Sequence, residues 1–272
     1  MSAAFAFFAD PLRAARVDAG FAETADALVA AGFRVWTYDA ERRRIVSRGE
    51  SIDGATSAYR GWMMNADEYA AFVACVVASG AQPLHDVDAY LATHHSPRWV
   101  SLLGTLTPET AFFSADADLA VELARLGWEG FVLKDWVKSL KTKRGFIIRD
   151  PADAPELVAE MRKFRGTIEG GLVIRRLEPL RPETEVRYFV LGGRAWAATP
   201  DAVVPDVVLE VSRRVTASRF FSVDVAERED GALRVVEIGD GQVSDLVGAW
   251  TPARFAEMWS GPGSAFDTGV LV

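Results

Sequence analysis

The 272-residue chain is short of lysine: five of its 30 basic residues are lysines, and the rest are arginines. It has one cysteine, which excludes an internal disulfide framework and fits a reducing, cytoplasmic setting. Its three histidines, His85, His94 and His95, have no acidic or cysteine partner at metal-ligand spacing, which argues against a zinc site. No apolar run approaches a membrane span, and the opening MSAAFAFFADP lacks the basic segment of a secretory signal. A net charge of −8 argues against nucleic-acid or anionic-membrane partners. What is present stands out against these absences. Four of the five lysines, Lys134, Lys138, Lys141 and Lys143, fall in FVLKDWVKSLKTKRG. A lysine is a compact ammonium on a flexible stem, suited to meeting a phosphate as a point charge. The segment is therefore a candidate anion-binding loop, with a solvated surface loop as the alternative.

The first hundred residues alternate strand and helix. FAFFAD, FRVWTYD and ATSAYRGWM read as strands, while residues 15–32 read as an amphipathic helix ended by Gly32. A second helix starts at Asn65 or Asp67 and runs to Ser79, closed by Gly80; Cys75 lies in it as a packed thiol. This order predicts a small, mainly parallel sheet covered by helices. SPRWVSLLGTLTPET, with breakers Pro97 and Pro108, reads as a crossing into a second unit. Beyond it come helix DADLAVELARLG, strands FVLKDW and FIIRD, helix DAPELVAEMRKF and strand GLVIRRL. A strand pair then turns at Gly192-Gly193, followed by helix PDVVLEVSRRV and a hairpin of FFSVDVAE with LRVVEIGD. That second part is α+β and rich in hairpins.

Three acids interrupt the apolar strands of the last hairpin: Asp224, Glu237 and Asp240. If they converge, they need a hard cation, and oxygen ligands suit magnesium bound to phosphates. Glu185 and Arg187 stand two apart on one strand and so share a face. They form either a surface ion pair or an acid for ribose hydroxyls beside a phosphate clamp. The apolar run GGLVIRRLEPL can offer backbone groups and a slot to a planar base. Arg213, Arg214 and Arg219 are candidates for a substrate carboxylate, and Trp62, Trp99, Trp128 and Trp136 read as packing residues.

The order of these features resembles an ATP-grasp domain, in which two α+β subdomains grip ATP. EVRYFVLGGRAWAA is similar to the D/E-x-R-x-F-V-x-G segment of amino-acid ligases of that superfamily, and VDVAEREDGALRVVEIGD to their D…E-x-N metal hairpin. YRGWMM, PRWVSLLGTLTPET, FVLKDWVKS, EVRYFV and VVEIGDGQVSDL resemble a divergent bacterial and phage clade, which also includes the eukaryotic assembly factor of translation initiation factor 2. The resemblance covers residues 57–250. It implies an α/β pre-ATP-grasp-like domain over 1–105 and an ATP-grasp domain over 106–272, with a small subdomain at about 116–172 and a large one at about 173–260. It further implies that Lys134 contacts the α- and β-phosphates, with Lys138 and the loop to Gly145 covering the triphosphate. Val173, Ile174, Arg175 and Leu177 would face adenine, Glu185 the ribose, and Arg187 the γ-phosphate or a developing acyl phosphate. Asp224, Glu237 and Asp240 would hold one or two magnesium ions (Mg2+). The chain departs from the pattern twice. Asp240 stands where the ligases carry Asn, and no lysine precedes Lys134, which leaves Arg98 or Arg125 to replace the early phosphate lysine. The implied activity is an ATP-dependent carboxylate–amine ligase, its substrates extending to a peptide or protein. The alternatives are a nucleotide-dependent assembly factor and a phosphotransferase.

Overall fold

The computed structural model describes residues 3–47, 49, 51–137, 147–165 and 168–261. The chain divides into two compact units. Unit 1 is Met1–Thr93, Val186–Asp224 and Gly239–Val272; unit 2 is His94–Glu185 and Val225–Ile238.

Unit 1 begins with β1 (Ala3–Asp10) and β2 (Arg13–Val17), then α1 (Ala22–Ala30), β3 (Arg34–Asp39), β4 (Arg44–Val46) and β5 (Thr56–Arg60). After these come α2 (Ala66–Ala78), β6 (Gln82–Pro83) and α3 (Val87–His94). The sheet order is β4-β3-β1-β5-β6, with β2 also paired to β1. β1 runs parallel to β3 and β5, and β5 parallel to β6, as the alternation of elements predicts. β1 shows why. Its residues alternate small and large, and both faces are covered, as befits a central parallel strand. Ala4 and Ala6 face a cluster with Trp36, Tyr38 and Phe72, while Phe5 and Phe7 enter one with Leu28, Phe255 and Trp259.

One expected helix is shortened. Residues 13–17 form β2 rather than the start of α1, and the helix begins only at Ala22. The Asp10 side chain accepts from the Leu12 and Arg13 amides and turns the chain back, so that residues 13–17 pair antiparallel with β1. Asp18 then accepts from the Gly20 amide to start a 3-10 turn. The second helix matches its expected start. The Asn65 side chain accepts from the Glu68 amide at 3.0 Å, and the Glu68 carboxylate accepts from the Asn65 amide at 2.9 Å, a reciprocal cap. Asn65→Ala should lower the unfolding free energy by about 1 kcal/mol. Urea titration checks this, and an unchanged midpoint would show that the cap contributes nothing.

Unit 2 contains α4 (Ser96–Leu103), β7 (Thr110–Phe113), α5 (Leu119–Leu126), β8 (Phe131–Asp135), β9 (Ile147–Ile148), α6 (Ala154–Arg165) and β10 (Leu172–Arg176). The segment expected as a plain connection holds α4, because Pro97 occupies the first helical turn, where a missing N–H costs nothing. The antiparallel sheet β7-β10-β8-β9 packs one face on α5 and α6 through Leu123, Leu133, Met161 and Ile174. The remaining elements are β11 (Leu180–Leu191), β12 (Arg194–Trp196), α7 (Asp206–Arg214), β13 (Phe220–Arg228), β14 (Leu233–Asp240) and α8 (Pro252–Ser260). Their sheet order is β12-β11-β13-β14. Gly192 and Gly193 both take positive φ at the β11–β12 turn, as a tight hairpin requires. No described helix is long and apolar enough to cross a membrane.

Candidate functional site

In unit 2, the register of β10 on β8 decides which side chains share a face. Val173 lies opposite Lys134, and Arg175 opposite Val132, so Lys134, Val173 and Arg175 stand on the face away from the α5/α6 core. Ile174 points the other way, into that core, so only its backbone is available to a ligand. Lys134 is 4% exposed, and its Nζ lies 3.2 Å from Glu237 Oε2. The first part of β14 is fastened here. Thr107 Oγ1 donates to the Val235 carbonyl, Arg175 Nη1 donates to the Val236 carbonyl, and Arg234 holds Glu178 at 2.6 Å. Arg175 is itself buried, its guanidinium 5.8 Å from the Trp99 ring. Burial lowers its pKa to about 10, against the opposing charges of Glu237 and Glu178, so it stays a cation at neutral pH. Leu177 is half-buried against Gly130, and Glu185 is exposed on β11. Lys138, Lys141, Lys143 and Gly145 lie outside the described residues.

In unit 1, Arg187 grips Asp224 with both arms of its fork, Nε to Oδ1 at 2.7 Å and Nη2 to Oδ2 at 2.6 Å. Bidentate charge-assisted pairs of this kind are among the strongest polar contacts a surface permits. The remaining Nη1 donates to the Asp245 carbonyl at 3.0 Å. Arg187's own carbonyl accepts from Trp250 Nε1 at 2.9 Å, which fixes the strand beneath it.

Asp240 is held by a different set of partners. It is fully buried, its Oδ2 bonded to His85 Nδ1 at 2.7 Å and its Oδ1 accepting from the Gln242 amide at 3.0 Å and from Gln242 Nε2 at 3.1 Å. The other nitrogen of His85, Nε2, accepts from the Arg219 and Phe220 amides at 3.2 and 3.1 Å. Those two donors require an unprotonated Nε2, so His85 carries its proton on Nδ1 and gives it to Asp240. Asp224, Glu237 and Asp240, expected to share magnesium, are each engaged by a different side chain. Each acid has its own cationic or N–H partner, and among the described residues no group of three His, Cys, Asp or Glu is arranged to hold a metal.

The lesser candidates resolve simply. Arg213 and Arg214 both pair with Glu210 along one face of α7. Trp99 is buried, whereas Trp62 is half exposed, edge-on to Phe21. Cys75 is only half-buried, its thiol donating to the Arg43 carbonyl, and burial raises its pKa. His85 is the functional-site neighbour that sequence reasoning set aside. A histidine partner for an acid 155 positions away leaves no local signal.

A family model for the ATP-grasp domain, that of family 3 within its clade, matches residues 114–258. No curated protein matches the chain. Among solved structures, D-cycloserine synthetase DcsG superposes with a TM-score of 0.61 at 14% identity, covering 94% of this chain and 98% of its own. The ATP-grasp ligase PsnB, in complex with precursor peptide PsnA2 and AMPPNP, gives 0.58 at 13% identity, with 93% and 96% covered. D-alanine–D-alanine ligase from Bacillus anthracis, complexed with ATP, gives 0.58 at 12% identity, with 94% and 91% covered. The likeness in each case is one of fold: an ATP-grasp fold spans nearly the whole chain.

Proposed function

The chain belongs to the ATP-grasp domain family, in family 3 of its clade, and we propose on that basis that it is an ATP- and magnesium-dependent ligase joining a carboxylate to an amine or other nucleophile. The observation that carries this reading is a matched pair of ion pairs. Lys134 and Arg187, the cations assigned to phosphates, neutralise Glu237 and Asp224, acids assigned to magnesium. A phosphate chain with its metal brings both signs of charge, so each cation can exchange its carboxylate for phosphate oxygens while the carboxylate turns to the metal. Each pair thereby avoids leaving an isolated charge before the nucleotide arrives.

Asp224 and Glu237 fit magnesium by donor chemistry, each offering hard carboxylate oxygens from a cation pair that phosphate can replace; Asp240, fully buried and held by His85 and Gln242, is left to shape the turn after β14. When bound, the metal would neutralise developing charge on the transferred phosphoryl group. The chain's own part is positional. Lys134 would hold the α- and β-phosphates, and Lys138 and the loop to Gly145 would cover the triphosphate. Val173, Arg175 and Leu177, with the Ile174 backbone, would receive the adenine and Glu185 the ribose. Arg187 would meet the γ-phosphate. A substrate carboxylate oxygen then forms a bond to the γ-phosphorus as the bond to the bridging oxygen breaks, giving acyl phosphate and ADP. The amine nitrogen next bonds to the acyl carbon, phosphate departs with the C–O electron pair, and the amine loses its proton to solvent.

The reading is tested by ADP release across a panel of carboxylates and amines. ADP and phosphate appearing only when both substrates are present supports ligation, and Arg187→Ala should lower that rate at least about a hundredfold, the scale of losing one charge-stabilising group. Tight Mg-ATP binding with no turnover on any substrate pair, peptides included, would overturn ligation in favour of an assembly role.

A further inference from the structure

In unit 1 the chain leaves β14 through a turn at residues 240–245 that is buried as far as Ser244. The turn ends at the Asp245 carbonyl, which accepts from Arg187 Nη1. We infer that Arg60, at the end of β5, is a positioning residue for Arg187: it fixes the turn that aims that guanidinium at the γ-phosphate. The inference rests on the assignment of Arg187 in the ligase reading above and adds the residue that sets its geometry.

Three consecutive residues at the end of β5 grip this turn. The Tyr59 amide donates to Gln242 Oε1 at 2.8 Å, and the Gly61 amide to the Gln242 carbonyl at 3.4 Å. Between them, Arg60 Nη1 donates to the Gly241 and Ser244 carbonyls at 3.2 and 2.5 Å, with the Gln242 carbonyl at 3.5 Å. One nitrogen thus ties together carbonyls at both ends of the buried stretch. The next carbonyl along the chain is the one that Arg187 meets. The Ser244 hydroxyl also donates to the Asp240 carbonyl at 2.8 Å, but a bond within the turn cannot set where the turn stands against β5.

Arg60 is a costly residue for packing alone. It is 3% exposed, its guanidinium lies 5.0 Å from the Phe255 ring, and its Nε is buried without a partner. Burial lowers its pKa to about 10, with Asp245 opposing and the like charge of Arg187 adding to the fall, so it stays a cation at neutral pH. An apolar side chain of similar size would cost less to bury. Arg187 has a use for the fixture, because in the ligase reading its other anchor is temporary. Its Nε and Nη2 hold Asp224, the carboxylate exchanged for phosphate when the nucleotide arrives. The bond from Nη1 to the Asp245 carbonyl asks for no such exchange, and Trp250 Nε1 holds the Arg187 backbone at 2.9 Å. A guanidinium guided through one nitrogen keeps its aim only while that acceptor stays still.

The test compares Mg-AMPPNP with Mg-ADP by calorimetric titration of the full chain, since the two differ in the γ-phosphate. Arg187→Ala should lower the ratio of the ADP Kd to the AMPPNP Kd about thirtyfold, the share of one charge-assisted donor. Arg60→Met should lower that ratio about fivefold while leaving the ADP Kd unchanged. The double variant should match Arg187→Ala at about thirtyfold, because Arg60 acts through Arg187; independent effects would multiply to about 150-fold. If Arg60→Met does not fold, Arg60→Lys is read the same way: it keeps the buried charge, but its ammonium stops one bond short of Nη1. The inference is overturned if the Arg60 variant leaves the ratio unchanged, or weakens both nucleotides alike as a merely structural residue would. Multiplication with Arg187→Ala overturns it too. An unchanged ratio in Arg187→Ala itself overturns the γ-phosphate assignment beneath, and the inference with it.

Discussion

Asp240→Asn should destabilise the metal-free protein by about 1–3 kcal/mol, the cost of leaving a buried hydrogen-bond donor unsatisfied. The substitution keeps shape and volume, so the loss comes from hydrogen-bond polarity. His85 must present N–H from Nδ1, because its Nε2 accepts from two backbone amides. On its other oxygen, Asp240 meets the Gln242 amide, also a donor. An asparagine offers one acceptor and one donor, so either orientation sets a donor against a donor in a site with no water access. Asp240→Ala would remove the clash but leave the His85 and Gln242 donors unsatisfied, at similar cost. Equilibrium urea unfolding in EDTA distinguishes this from a metal-ligand role. A ligand to magnesium would leave metal-free stability nearly unchanged and weaken only the response to added magnesium. A loss under about 1 kcal/mol in EDTA would therefore restore Asp240 to the metal site.

The elements written most plainly in the sequence are those specified within a few residues. The Asn65 cap with Glu68, the Asp118 cap and left-handed Gly127 bounding α5, and the Gly192-Gly193 turn are all local devices. The alternating strand β1 was equally plain, because its two faces are filled by residues of different size. What escaped was decided elsewhere. β2 exists because its backbone finds β1 after a turn, a tertiary pairing that overrides a helical pattern. The same holds for the site. The order of Lys134, Arg187, Asp224 and Glu237 was legible, yet their pairing as two cation–carboxylate couples required the register of β8 on β10 and the fastening of β14. Asp240 marks the limit of motif reading: its partner His85 lies 155 positions away, so no local pattern announces that the acid goes into the core.

Lys134→Ala and Glu237→Ala should each abolish the thermal shift produced by Mg-ATP, for different reasons that can be separated. Lys134 is buried and needs a counter-charge, which Glu237 provides in the free protein. Removing the lysine leaves Glu237 near the surface, 31% exposed by its side chain, where water can solvate it, so the free protein should lose little stability. The phosphates, however, lose a charge-assisted donor worth about 2–3 kcal/mol, roughly a thirtyfold to hundredfold loss in affinity. Removing the glutamate is harsher on the free protein, because an ammonium 4% exposed is then left without that carboxylate. Its effect on nucleotide binding should also track magnesium, appearing as a weaker dependence on added metal at fixed ATP. The double variant should likewise fail to bind Mg-ATP. If both single variants keep the wild-type shift, neither residue belongs to a nucleotide site. If only Lys134→Ala loses it, the lysine holds phosphate and Glu237 is its structural counter-ion rather than a metal ligand.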